Sequence, residues 1–437
     1  MKHHFAKREK VETVPHRKNS IIIIILFALL ILAGAGIPAR GDDAEVLPKG
    51  VFGIRFTSEF YPPVDERYDP DGNIEDVAAD FNTILDSEIF PDLSILEGPP
   101  FNLPSANIGE SVVSFEMEFV DLELIIAYGV TDRLMVGVKI PYSFQKNSVD
   151  ARLETADATV GKNPFFGTPG DPFAGAPLIP ISLGGVPLSE EDVQDLLGGG
   201  LDVDGDGTVD IPGFGYERFE SWSGSGLLDV EVGARYQYFK NEHWRLALTF
   251  GVRVPTGDVD DPDNLTDLEF GTGAWAPFLH SNNDYTGIKH LVINATARYY
   301  LILPDRETVR IPDDVNQPVT KNREKVDRDI GDVIELEGEA NYEFARGANI
   351  SLIYKFSHMF RTEVSGNLGF NYRSLEDETE WESHVVQVGL SYSTLPLYEE
   401  KKFPIPLKVG IGYGNRFAGK NNALRVRYLK AGLEMFF

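Results

Sequence analysis

Two groups of residues in this chain have types and spacing suited to chemistry. The first is the string Asp202-Val203-Asp204-Gly205-Asp206-Gly207-Thr208-Val209-Asp210, with carboxylates at its first, third, fifth and ninth places and glycine at the sixth. A hard divalent cation takes oxygen ligands from such a turn, and the glycine permits its sharp bend. Asp202, Asp204, Asp206, Thr208 and Asp210 are therefore candidate Ca2+ ligands. The twelfth place is Gly213 rather than Glu, so a bidentate ligand has to come from elsewhere or from water. Upstream, Ser189 followed by Glu190, Glu191 and Asp192 predicts a short capped helix. The plain alternative is a solvated acidic turn.

The second group is a set of charges that alternate with apolar residues: Lys139, Asp229, Glu231, Arg235, Arg245, Arg253, Arg298, Glu335, Glu337, Glu339, Glu343, Lys355, Lys408, Lys430 and Glu434. Along a strand, successive side chains point to opposite faces, so period-two alternation puts all of these on one side. In 226–240, Leu228, Val230, Val232, Ala234, Tyr236 and Tyr238 share the face opposite Asp229, Glu231, Gly233, Arg235 and Gln237. In 244–255 the apolar face is Trp244, Leu246, Leu248, Phe250, Val252 and Val254. A sheet that is apolar outside and charged inside is the pattern of a membrane barrel. Charges of both signs within it either line a wet path that selects by charge or lock one another into a filled interior.

The elements that would position these residues are about twelve strands, within a range of ten to fourteen. They fall near 50–60, 111–129, 133–146, 226–240, 244–255, 267–280, 287–301, 332–345, 348–373, 383–394, 405–416 and 422–437. Their connections alternate: 130–132, 241–243, 281–286 and 346–347 are tight, whereas the acidic, Gly/Pro-rich loop at 147–225 is the longest. The phase slips between Glu118 and Leu122, which implies a bulge or an emergence from the bilayer. The run 348–373 exceeds the ~9–11 residues of one crossing, so it projects beyond the membrane or hides a bend.

Both ends of the chain agree with a barrel. Lys2, Lys7, Arg8, Lys10, Arg17 and Lys18 precede an apolar run from Ile21 to Ala33 and then small residues. That is a secretory signal over 1–39, leaving 40–437 as the barrel with its loops. At the other end, Leu429, Ala431, Leu433, Met435 and Phe437 alternate with Tyr428, Lys430, Gly432 and Glu434. This ending resembles the carboxy-terminal strand that the outer-membrane assembly machinery recognises, with Tyr428, Leu433, Met435 and Phe437 at the matching positions. It places the carboxy-terminus on the periplasmic side of a bacterial outer membrane.

Composition narrows the function. The net charge of −28 argues against nucleic-acid partners and suits divalent cations or a lipopolysaccharide surface bridged by them. With no Cys there is no thiol nucleophile and no lipid anchor on sulfur. The 28 Phe and 17 Tyr suit interfacial girdles. No Gly-x-Ser-x-Gly, His-Glu-x-x-His or Walker motif is present, and His243, His280, His290, His358 and His384 are scattered singly. The expectation is a non-enzyme, although a Ser and a His from different strands can still meet in space.

Three strings then stand out: Tyr128-Gly129-Val130-Thr131-Asp132-Arg133, Gly226-Leu227-Leu228-Asp229-Val230, and Pro255-Thr256-Gly257-Asp258. In this order they resemble the family of outer-membrane transporters named after the meta-pathway of phenol degradation, over roughly 121–437. The resemblance implies an all-β, closed antiparallel transmembrane barrel that moves small, often hydrophobic or aromatic compounds. The long calcium-like insertion departs from that family's usual short loop. The resulting expectation is a narrow passive channel with outer-membrane lipid, lipopolysaccharide and a small solute as its partners. Two alternatives stand beside it: a non-conducting structural or adhesive barrel, favoured if the inner charges are fully paired, and a lipid-modifying enzyme.

Overall fold

The computed structural model describes residues 42–312 and 319–437, so the expected signal lies outside the described residues. Twelve antiparallel strands close into a barrel. They are β1 (Phe52–Val64), β2 (Asn107–Thr131), β3 (Leu134–Glu154), β4 (Val230–Lys240), β5 (Trp244–Val254), β6 (Ala276–Ile288), β7 (Leu291–Tyr300), β8 (Val333–Ala345), β9 (Ala348–Met359), β10 (Trp381–Ser393), β11 (Leu407–Lys420) and β12 (Arg427–Phe436). Each pairs with the next, and β12 returns to β1 through pairs such as Leu433 with Phe56, so no edge is left open.

One end of the barrel carries the short connections 132–133, 241–243, 289–290 and 346–347 and the longer 394–406. The other end carries the long segments, which fold into structure of their own. Leu85, Phe90, Leu93, Leu96, Ile108, Val160, Leu188, Leu196 and Leu201 form a core there. It includes helix α1 (Glu190–Leu197), which begins with a capping box in which Ser189 and Asp192 satisfy each other's backbone N–H groups.

The outer face of the barrel is apolar, with Val232, Leu248, Leu279, Ile293, Leu336, Ile350, Leu352, Val388, Leu390, Ile411 and Leu429 exposed. Rings flank this aliphatic belt, among them Tyr236, Tyr238, Trp244, Tyr342 and Phe344 toward the short connections and Trp275, Tyr299 and Phe360 toward the long ones.

Four expectations need correction. The pairing of β2 with β3 runs from Glu110 to Gly129 without a shift, so of the two alternatives for the slip between Glu118 and Leu122, bulge or emergence from the bilayer, the bulge is excluded. The facing is constant and the surroundings change instead. Val113, Phe115 and Met117 face inward under an apolar cap, and on the same face Glu123 lines the lumen. The segment 281–286 is not a turn: β6 continues through it to Ile288. The strand expected over 348–373 ends at Met359, and a loop follows that contributes Glu363–Ser365 to a small three-stranded sheet. The strand expected over 226–240 is broken: Trp222–Leu227 pairs with the upper part of β3 before β4 begins at Val230. The break falls at Asp229, whose carboxylate accepts the backbone N–H groups of Thr256, Gly257 and Thr272.

Candidate functional site

The lumen is divided between a peptide segment and a cavity. Residues 42–47 run inside the barrel before β1 and 48–50 leave it at the short connections, so part of the lumen is filled by the protein's own chain. The segment is held chiefly by β4 to β8. The backbone N–H of Asp42 donates to Glu337 Oε1 at 3.0 Å, and its carbonyl accepts from Asn282 at 2.9 Å and Thr296 at 2.8 Å. The Asp42 carboxylate pairs with Arg235 and lies 3.5 Å from Arg298 Nε and 3.4 Å from His280 Nδ1. The Ala44 N–H donates to both oxygens of Asp284 at 3.2 Å, and its carbonyl accepts from Gln237 at 2.7 Å. Glu45 pairs with Arg245, which also reaches Asp284 at 2.9 Å.

The foot of the segment leaves toward the short connections over Gly129. A Cβ on Gly129 would stand 2.0 Å from the Pro48 carbonyl oxygen, so only glycine lets the segment pass so close to the wall. Gly251 does similar service higher up. The Phe278 ring lies against it, 2.6 Å from where a Cβ would be, and stacks on His280 at 4.8 Å between centroids.

Beside the segment lies a cavity of about 600 Å³, reaching from Arg55, Glu123 and Lys139 to Lys355, Arg416 and Tyr428. A second space of about 390 Å³ shares Glu59, Lys139, Glu231 and Lys430 with it and continues toward the long-loop end.

The sequence-derived lumen residues are distributed as follows. Lys139 lies 3.2 Å from Glu231 and 3.8 Å from Glu123, and Arg253 also reaches Glu231 at 3.0 Å. Arg298 bridges Glu335 at 3.3 Å and Glu337 at 3.1 Å, while Lys355 takes the other oxygen of Glu335 at 2.8 Å. Lys408 and Arg55 share Glu434, at 3.7 and 3.0 Å, and Lys430 meets Glu59 at 2.8 Å. Glu339 is buried and accepts from Asn341. Two of the set serve the rims. Asp229 holds the 256–257 turn, and Glu343 accepts the Gly347 N–H at 2.8 Å in the β8–β9 hairpin.

Of the candidate calcium ligands, Asp202, Asp204 and Asp210 bring carboxylate oxygens within 4.8 Å of one another. Asp206 turns away to Thr208, whose N–H it accepts at 2.8 Å. The histidines stay apart: His280 is in the lumen, His384 meets the Tyr354 hydroxyl, and His290 meets Glu343.

Sequence reasoning placed Gln237 on the inner face and missed the other residues that grip the segment, Asn282, Asp284, Asn294 and Thr296. Their signal was present: Asn282 and Asp284 share one strand phase, as do Asn294, Thr296 and Arg298. The run Ser281-Asn282-Asn283-Asp284 is also turn chemistry, and that resemblance hid it.

No protein-family model matches the chain, and no curated protein matches it. The resemblance to the meta-pathway family thus rests on the sequence strings alone. Among solved structures, an outer membrane channel from Pseudomonas putida F1 aligns with 92% of this chain and 100% of its own, at 12% identity and a TM-score of 0.49. The CymD monoaromatic hydrocarbon channel aligns with 90% and 89%, at 9% identity and a TM-score of 0.33. The KdgM porin aligns with 74% and 98%, at 10% identity and a TM-score of 0.30.

Proposed function

We propose that this protein is a bacterial outer-membrane channel, narrow and passive, for small hydrophobic or aromatic solutes, and that residues 42–47 restrict its lumen. The observation that carries this reading is the coexistence of the segment and the cavity: the segment leaves about 600 Å³ of space beside it. Asp42, Ala44 and Glu45 are gripped by hydrogen bonds and ion pairs to side chains of the wall, so this part can shift without breaking a strand pairing. The outer belt of aliphatic residues between aromatic rings supports lipid as its surroundings. With the short connections facing the periplasm, the long loops stand outside the cell, and Tyr428, Leu433, Met435 and Phe437 fit recognition by the assembly machinery. The apolar cap of Val64, Val113, Phe115, Met117, Val426 and Tyr428 over the long-loop end suits a solute that leaves water readily.

The test is single-channel conductance of the refolded protein in a planar bilayer, alone and with residues 42–46 removed. Discrete openings that enlarge on removal support the channel; a folded barrel that stays silent in both forms removes it. A second reading, a closed structural barrel, draws on the pairing of the lumen charges, and that silent outcome would favour it.

The Asp202, Asp204 and Asp210 turn is proposed in the same reading as a Ca2+ site on the outer surface. Replacing Asp202 and Asp204 with Ala should abolish Ca2+-dependent protection of the 155–229 segment from protease; unchanged protection would remove calcium from the account.

A further inference from the structure

Arg416 differs from the other cations of the lumen. Lys139, Arg253, Arg298, Lys355 and Lys430 each have a carboxylate within 4.0 Å, as do the remaining cations described above. Arg416, on β11, has none among the described residues. Its Nη1 donates to the Leu424 carbonyl at 2.7 Å, and its Nε is shut off from solvent without a partner. The residue lines the larger cavity. A guanidinium cannot lose its proton in a protein, so burial without a counter-charge leaves a standing electrostatic demand.

The surroundings specify what would answer that demand. Tyr428 and Tyr61 stand in the same cavity wall with ring centroids 5.0 Å apart, beside Val385 and Val426. The Tyr428 hydroxyl accepts from Gln387 Nε2 at 2.7 Å, and its own hydrogen has no acceptor among the described residues. The Tyr428 ring is fixed because it lies over Gly414, whose Cβ would come within 2.2 Å of it. A cation and an unspent O–H donor are thus set into an aromatic and aliphatic wall.

We infer that Arg416 and Tyr428 form a binding station for a small organic carboxylate with a flat apolar body, the carboxylate on the guanidinium and the ring against Tyr61 and Tyr428. This rests on the lumen being a solute path and narrows its cargo from apolar compounds in general to apolar acids. Guanidinium and carboxylate match in charge and in donor geometry. Val385 and Val426 of the apolar cap stand beside the station, so its wall suits a ring better than a strongly hydrated inorganic anion.

Two probes of the same shape test it: 4-fluorobenzoate and the uncharged 4-fluorotoluene, followed by fluorine NMR titration of the refolded full barrel in detergent micelles. The expectation is that 4-fluorobenzoate binds and that Arg416→Gln, which keeps a donor for the Leu424 carbonyl, weakens it by about tenfold or more while leaving 4-fluorotoluene unchanged. Absence of 4-fluorobenzoate binding to the folded wild-type barrel, or equal affinity in Arg416→Gln, would overturn the station. If that variant does not fold, Tyr428→Phe decides: a selective several-fold loss of 4-fluorobenzoate supports the station, and no change removes it. Conductance separates the two levels. Binding in a silent barrel keeps the station and removes the path, whereas conductance without carboxylate binding keeps the path and removes the station.

Discussion

Along one half of the lumen wall, β4 to β8, Arg235, Arg245 and Arg298 and a set of amides and hydroxyls turn toward the backbone and carboxylates of residues 42–45. Along the other half, from β9 round to β3, the charges close mainly on neighbouring strands, as Lys430 does with Glu59 and Lys355 with Glu335, and open space remains. Both halves alternate charged and apolar residues, so composition does not distinguish them. Both also carry amides and hydroxyls, among them Thr57, Ser357, Ser383 and Gln387 in the second half, so the difference lies in what those groups meet. A carboxylate and a guanidinium satisfy each other across a strand pair, whereas Gln237, Asn282 and Thr296 present uncharged donors that match the carbonyls of a passing backbone. In the first half those groups meet the carbonyls of Asp42 and Ala44, and there the wall holds a peptide.

Breaking the gripping half should have the largest effect. Removing residues 42–46 is expected to raise single-channel conductance by about tenfold, because a charged, water-filled passage replaces a peptide; an unchanged conductance would show that the constriction lies elsewhere. Arg298→Gln comes next. It strips Asp42, Glu335 and Glu337 of a shared cation that is 9% exposed, and the loss of one partner from a buried network costs about 3 kcal/mol. The expected readout is a lower temperature for the heat-induced shift of the folded band on a gel.

Gly129→Val should act more gently, by displacing the Pro48 carbonyl and raising the open fraction a few-fold while the barrel still closes. On the other half, Lys430→Met leaves Glu59 with only the Tyr61 hydroxyl, so cation over anion permeability should rise about two-fold, with the segment still in place. A rise in conductance as large as that of the deletion would erase the distinction between the halves.

The smallest effect lies outside the barrel. Although Asp260 is exposed as a residue, partial desolvation of its carboxyl and then the adjacent Asp267 carboxylate push it up to about 8. Because the folded loop holds this proton more tightly than the unfolded chain, the resulting stabilisation is present below pH ~4 and is lost as pH rises through about 8. Protease protection of 255–275 should therefore decline between those limits, and Asp267→Asn should flatten the decline.

The barrel was legible because each of its strands has to satisfy two surroundings at once. Leu246, Leu248 and Phe250 against Arg245, Thr249 and Arg253 admit no other facing in a lipid-bound sheet. The capped helix after Ser189 was legible for a local reason, since its box needs only residues three apart. The β2 slip at Glu118 misled because a pattern of polarity records surroundings as well as direction. Inward-facing Phe115 lies beneath other protein, whereas inward-facing Glu123 lies beside water and charge. The segment 281–286 misled because asparagine and aspartate carry the same signature in a turn and in a strand that grips a peptide.

Sequence alone therefore determined the closed sheet, its strand number to within two and the division into an apolar outside and a charged inside, because alternation and turn spacing are local properties of the chain. Only the tertiary structure decided what fills that inside. Whether Asp42 meets Arg235, or Arg416 meets no carboxylate at all, depends on closing a ring of strands more than three hundred residues long, and no local pattern carries that information.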